Sequence, residues 1–323
     1  MPERVAGAVS RASPAIGVDV GGTAMKGLLV EIADGGEPVV VDRMRRPTPV
    51  GDGVDAVVAA IAAFVGDLAD RAYRDGAGRP AAAGVVVPGI IDEAAGVVVG
   101  AANLAMRGVP LAELLRGATG LAVRLGHDVR AGGVAEARAG AARGERDVLF
   151  VPLGTGIAAS CVVDGRAIVA GGYAGELGHL LIRPGGETCP CGQAGCLERY
   201  ASASAVARHY TEASGRAVTG AVDVAELVRF GDPVAVAVWD DAVDALVTAL
   251  LAACTLLGSA VVVLGGGLSH AGELLLDPVR ERLHARMTFH RRPRVVAAQL
   301  GDQAGAIGAA LLGAAAFNGR LGS

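Results

Sequence analysis

An α/β fold of two lobes is what this sequence predicts, and three observations carry the prediction. A chain of 323 residues exceeds what one core comfortably serves and implies two units of roughly 100 to 200 residues each. Apolar residues make up 52% of the chain, aromatic residues only 3%, and 49 positions are glycine, so burial relies on Ala, Val and Leu with backbones packed close together. Finally, a strand, a Gly-Thr turn and a second strand occur near the N-terminus and again at mid-chain, the pattern of an internally duplicated protein.

Taken in order, residues 1–14 read as a disordered leader. Strands over 16–20 and 27–32 flank Gly21, Gly22 and Thr23, where the lack of Cβ atoms lets several backbone N–H groups approach an anion. Asp19 stands at the entrance of that turn. The spacing is neither G-x-x-x-x-G-K-[ST] nor G-x-G-x-x-G. A third strand, 38–42, leads into a basic, proline-broken connection at 43–49. Val54, Val57, Val58, Ile61, Phe64, Val65 and Leu68 then recur at helical spacing and mark an amphipathic helix. A buried strand at 84–87 ends in Pro88-Gly89, and Asn103 lies in a loop before a helix at 111–115. A strand at 122–125 delivers Gly126, His127 and Asp128 to a helix of small residues at 131–140.

The second half repeats the opening unit: strand 148–153, turn Gly154-Thr155-Gly156, strand 157–163, and a hairpin turn at Asp164-Gly165 before 167–169. Two such turns facing each other would clamp a polyphosphate. Helices follow at 202–210 and 233–257. The strand at 260–264 runs into Gly265, Gly266 and Gly267 and a helix at 272–285, the arrangement that binds nucleotides in open α/β sheets. A last strand, 295–300, precedes an apolar helix at 304–317, too short for the ~20 residues of a membrane span. The lobes are expected at 15–125, with 302–323 packing back on it, and at 126–301.

A net charge of −4 supplies no basic field for nucleic acid, and no stretch has the apolar run of a secretory signal. A cytoplasmic protein of small ligands, without a membrane or nucleic-acid partner, is the expectation. The cysteines then remain reduced, and Cys189, Cys191 and Cys196 with His179 form a Cys3His set of the kind tetrahedral zinc prefers. Glu176 and Glu198 bracket this set. Cys161 and Cys254 read as small core residues. Asp128, between a strand and a helix, suits either a helix cap or a proton acceptor. Lys26 reads as a loop-stabilising residue, because its spacing is not that of a P-loop lysine.

D-V-G-G-T-A-M-K at 19–26, L-G-T-G-I at 153–157, E-L-G-H at 176–179 and C-P-C-G-Q-A-G-C-L-E at 189–198 resemble, in that order, the ROK family of bacterial sugar kinases and repressors. The match covers nearly the whole chain. It implies the duplicated, ribonuclease H-like fold of actin and hexokinase, with sugar and ATP meeting in an interlobe cleft. About fifteen residues precede the first strand, few for a DNA-binding helix-turn-helix, which favours the kinase branch.

The resemblance further implies phosphorylation of a hexose, glucose to glucose 6-phosphate first, and assigns Asp128 as the base. The alternatives are a kinase for N-acetylmannosamine, fructose or allose, or a non-catalytic sugar-sensing regulator. Asn103, His127, Glu176, His179 and Glu198 would contact the sugar. Gly21, Gly22, Thr23, Gly154, Thr155 and Gly156 would surround the phosphates, with Lys26 counted on the same nucleotide side, Gly265 to Gly267 the adenosine, and Asp19 would orient Mg2+ through water. Zinc would be structural, and a homodimer or homotetramer is implied. Two departures stand out: His127 occupies the place of an Asn, and Ile157-Ala158-Ala159 follows the second turn where relatives carry glycines. A histidine there points to a different sugar preference or pH profile.

Overall fold

The structure, a computed structural model, describes residues 14–32, 37–76 and 78–317. Its first half contains β1 (Pro14–Val20), β2 (Ala24–Ile32), β3 (Pro38–Pro47), α1 (Val54–Arg74) and β4 (Ala82–Val87). Then come three short strands, β5 (Ile90–Asp92), β6 (Val97–Ala101) and β7 (Met106–Val109), followed by α2 (Leu111–Thr119), β8 (Ala122–His127) and α3 (Asp128–Ala139). The second half contains β9 (Val148–Pro152), β10 (Ser160–Val163), β11 (Arg166–Ala167), α4 (Glu198–Ala201), α5 (Ala203–Ser214), α6 (Ala221–Arg229) and α7 (Pro233–Leu257). It closes with β12 (Val261–Gly265), α8 (Glu273–Arg286), β13 (Arg294–Ala297) and α9 (Ala304–Phe317).

Two five-stranded sheets share one topology. The first runs β3-β2-β1-β4-β8 and the second β11-β10-β9-β12-β13. In each, the first strand lies at the centre with an antiparallel hairpin on one side and two parallel strands on the other. The duplication read from the two Gly-Thr turns is therefore present in the sheets. Helices cover both faces, which is why β4 (AAGVVV) and β12 (VVVLG) are buried at every position instead of alternating. On the outer face of the first sheet, Val57, Ile61, Phe64, Val65 and Leu68 of α1 pack with Ile16, Met25 and Leu29. Phe64, fully buried, contributes about 1.5–3 kcal/mol by removal from water.

Between the sheets lie α9 and α3. A Cβ at Gly84 would stand 1.8 Å from the carbonyl of Ala309, and one at Gly17 would stand 2.0 Å from that of Ala306, so α9 rests directly on β1 and β4. Gly308 of α9 in turn lies against Ala131 of α3, while Gly133 of α3 lies against Ser160 and Phe150 of the second sheet. Small residues thus set the spacing of the layers. The ends of β1, β8, β9 and β12 frame the site.

The boundaries of α7 match the expectation because its signals are local: Asp232 caps the N–H groups of Val234 and Ala235 at 3.0 and 2.9 Å, Pro233 is the first helical residue, and Gly258 closes the helix with φ 60°. Elsewhere the structure corrects the sequence. β3 continues to Pro47 instead of ending at 42; as an edge strand it pairs only with β2, which tolerates its proline. Residues 90–109, expected to lack strands, form the sheet β5-β6-β7, and Asn103 sits in its 3-10 turn. Helix α6 was not anticipated, α3 begins at Asp128 instead of 131, and β10 begins at Ser160 instead of 157. The leader lies outside the described residues except Pro14, which opens β1, and 318–323 lie outside them too. Among the described residues no helix is long and apolar enough to cross a membrane.

Candidate functional site

The β1–β2 turn is closed by the Gly21 N–H donating to the Ala24 carbonyl at 3.0 Å, and Thr48 braces it, its hydroxyl donating to the Gly21 carbonyl at 2.6 Å. Asn103 abuts this turn: a Cβ at Gly22 would stand 2.9 Å from the Asn103 carbonyl oxygen. Asp19, at the end of β1, faces the start of α9, where Gly305 leaves room for its carboxylate. Burial pushes the Asp19 carboxyl up to about 7; Asp128 and Asp302 add to the shift and Lys26 opposes it. Lys26 lies opposite Asp19 in the register, and its Nζ reaches the Asp302 carbonyl at 3.2 Å and carboxylate at 3.5 Å. That contact ties β2 to the turn before α9.

His127 and Asp128 stand where β8 becomes α3. The N-cap of α3 is His127, whose Nδ1 accepts the Arg130 N–H at 3.4 Å. Asp128 is therefore the first helical residue, not the cap, and its Oδ1 accepts the Val129 N–H at 2.7 Å. His127 Nδ1 also lies 3.4 Å from that same Oδ1. Burial pushes the His127 ring below its usual range, Arg130 adds to the effect, and Asp128, Glu176 and Glu93 oppose it.

The β9–β10 turn is a junction. The Gly154 carbonyl accepts the Ala203 N–H at 2.9 Å, and the Leu153 carbonyl accepts the Leu268 N–H at 3.0 Å. This places Gly154, Thr155 and Gly156 next to the end of β12, where Gly266, with φ 75°, lies against Leu153. A groove lined by Ala221, Ala225, Trp239, Leu268 and His270 opens beside Gly267. Glu198 is held on the same turn, its Oε2 accepting the Ile157 N–H at 2.9 Å and crowding the Gly156 Cα.

His179, Cys189, Cys191 and Cys196 converge, with all four ligand atoms within 4.8 Å of one another. Cys191 Sγ lies 3.6 Å from Cys196 Sγ, and Cys189 Sγ lies 3.7 Å from His179 Nδ1. Tetrahedral bonds of ~2.3 Å to sulfur give sulfur–sulfur edges of about 3.7 Å, so the set fits zinc. Burial and the neighbouring thiols push Cys196 up to about 12, a clash of thiols that a divalent cation relieves. Since Nδ1 faces the sulfurs, Nε2 of His179 remains outward, 4.0 Å from Glu176 Oε2. The loop is braced from behind: Glu187 accepts from Arg199 at 3.1 Å and contacts His209 at 2.5 Å, and its N–H donates to the Tyr200 hydroxyl at 2.7 Å. Gly195, with φ 98°, sits where a Cβ would stand 1.8 Å from the Arg183 carbonyl oxygen.

Residues 15–316 match the family model described as ROK family. The chain belongs to the ROK family. It is 34% identical over 313 residues to a glucokinase of Thermotoga maritima, covering 91% of this chain and 95% of that protein. Among solved structures it is similar to the ROK hexokinase of Thermus thermophilus (33% identity, TM-score 0.80, 95% and 99% of the two chains). It is also similar to the ROK glucokinase of Streptomyces griseus in complex with glucose and AMPPNP (30% identity, TM-score 0.76, 93% and 99%).

The structure of this ROK protein groups the residues singled out from the sequence into three clusters. Gly21, Gly22, Thr23 and Asn103 form the first, with Asp19 facing Asp128 and His127 close by. Gly154 to Gly156, Gly265 to Gly267 and Glu198 form the second, and Glu176 with the four zinc-site residues the third. Sequence reasoning passed over Arg130, Glu93 and Glu136. Glu136, fully buried, accepts the N–H groups of Ala141, Gln299 and Leu300 and so ties α3 to the segment leading into α9. A signal existed: charged side chains inside a helix otherwise made of Ala, Gly and Val.

Proposed function

We propose that this chain is an ATP-dependent sugar kinase that transfers the γ-phosphate to a hexose, with glucose and its 6-hydroxyl as the first acceptor to test. The observation that carries the proposal is that Asp19 and Asp128 lie at the same edge of the first sheet, at the ends of β1 and β8 that flank β4 in parallel, beside a Gly-Thr turn. Phosphoryl transfer asks the protein for a proton acceptor, positioned donors and neutralised charge. Asp128 is the acceptor: the Val129 N–H fixes its carboxylate while 29% of the side chain remains open to a substrate. The Gly-Thr turns would hold the phosphates, and the apolar groove beside Gly267 suits the base of the nucleotide. Mg2+ carried with ATP would neutralise charge on the transferring group, and Asp19, whose buried carboxyl a cation would ionise, would orient it through water.

Asn103, His127, Glu176, His179 and Glu198 are the proposed sugar contacts, with zinc holding His179 so that Nε2 faces outward. Glu198 has one oxygen taken by Ile157, which leaves Oε1 for a hydroxyl. His127, standing where relatives carry Asn, keeps a second acceptor in view, such as N-acetylmannosamine, fructose or allose. A cytoplasmic location and a homodimer or homotetramer complete the proposal, the latter checked on a sizing column.

A coupled ADP-release assay across hexoses and N-acetylhexosamines tests the function, with turnover expected on at least one. Asp128→Asn should lower kcat by about 10²–10⁴-fold. Full activity in that variant would remove Asp128 from its role, and no turnover on any sugar would remove the kinase.

A further inference from the structure

Arg130 is 4% exposed, yet its guanidinium is only partly satisfied. Nε donates to Glu93 Oε1 at 2.8 Å and Nη1 to the Ala174 carbonyl at 3.2 Å, while Nη2 has no hydrogen-bond partner among the described residues. A buried cation held in this way is a poor source of stability, because apolar side chains of similar volume often serve as well or better. Its retention points to a task in the site.

Three parts of the site meet on this residue. Its side chain holds Ala174, two residues before Glu176, and Glu93, in the turn between β5 and β6. Its backbone N–H donates to His127 Nδ1. A nitrogen that accepts a hydrogen bond carries no proton, so the neutral ring has its proton on Nε2. Nδ1 also lies 3.4 Å from Asp128 Oδ1. A second proton on the ring would displace the Arg130 N–H and put an Nδ1–H against that carboxylate, on the oxygen that already accepts the Val129 N–H, which would make Asp128 a weaker proton acceptor. Asp128, Glu176 and Glu93 are the charged groups that favour such protonation; the Arg130 guanidinium opposes it.

We infer that Arg130 is a positioning residue of this site: anchored on Glu93 and Ala174, its N–H holds His127 Nδ1 as an acceptor, which turns Nε2–H toward the sugar and keeps an Nδ1–H away from the Asp128 carboxylate. The inference rests on the sugar-kinase reading. It also sets the polarity of the contact: an Nε2–H can only donate, so the sugar oxygen at that point accepts.

Nitrogen NMR of the histidine rings in the sugar-free protein reads the tautomer without turnover. His127 of the unaltered chain should carry its proton on Nε2 at pH 8. In Arg130→Met only burial still opposes the carboxylates, and His127 should titrate at higher pH, with the acidic limb of kcat/KM for the sugar moving with it. The sugar KM should rise about tenfold while the ATP KM stays within about twofold. Arg130→Lys keeps the charge without the fork, so the titration should stay put while the sugar KM rises. Glu93→Gln should move the His127 titration downward, and it carries the test with Arg130→Lys should Arg130→Met not fold. A His127 tautomer, titration and sugar KM unchanged in Arg130→Met, or an unmoved titration in Glu93→Gln, overturns the inference. Absence of turnover on every sugar overturns the kinase reading instead, and the ring spectra tell the two failures apart.

Discussion

Replacing Asp19 by Asn removes a carboxyl that burial, Asp128 and Asp302 push up to about 7 in the folded chain, against 3.8 as the ordinary value. Between those two pH values the folded protein keeps a proton that the unfolded chain has already lost. Stability is therefore unpenalised below 3.8, falls as pH rises through the window, and levels off above about 7. A gap of about 3 pH units corresponds to about 4 kcal/mol, or about 6 °C in melting temperature for a chain of this length. Asparagine is nearly isosteric and cannot ionise. Thermal unfolding of both proteins from pH 4.5 to 8, in chelator and without nucleotide, should show Asp19→Asn gaining on the unaltered chain as pH rises, by several degrees overall. With Asp19 in its proposed role beside the transferring phosphoryl group, the same variant should lose about 10²-fold or more in kcat. Melting curves that run parallel across the pH range would refute the reasoning, since they would mean that Asp19 ionises in the folded state as readily as in the unfolded one.

Cys191→Ser should release zinc, measured by elemental analysis, and raise the sugar KM more than the ATP KM, because the metal holds His179 and not the phosphate turns; an unchanged sugar KM in the zinc-free protein would contradict this. Glu136→Leu leaves the N–H groups of Ala141, Gln299 and Leu300 without acceptors, at ~1–3 kcal/mol each, so urea unfolding should show a loss of about 3 kcal/mol or more. A loss below about 1 kcal/mol would mean that water replaces the carboxylate.

Much of the site was legible because its signals are short-range in sequence. Gly-Thr turns between apolar strands mark backbone that approaches a ligand, and three cysteines with a histidine mark a metal whatever surrounds them. Asp232, Pro233 and Gly258 delimit α7 by the same local logic. Strands of three to five residues such as β5, β6 and β7 carry too few positions for a period to emerge, and their sheet went unread. The proline in β3 looked like a break because nothing local reveals that a strand will lie at an edge.

By itself, then, the sequence determined the α/β class, the duplication, the zinc ligands and the inventory of acids, imidazoles and glycines, all of which follow from residue type and near-neighbour spacing. Only the tertiary structure decided how those groups behave. Arg130 meets Glu93 across 37 positions and Glu136 meets Gln299 across 163, and no periodicity reports a contact between elements from different parts of the chain. The protonation of Asp19 and His127 was equally out of reach. It depends on exclusion of water and on charges delivered by other elements, and those exist only once the layers have packed.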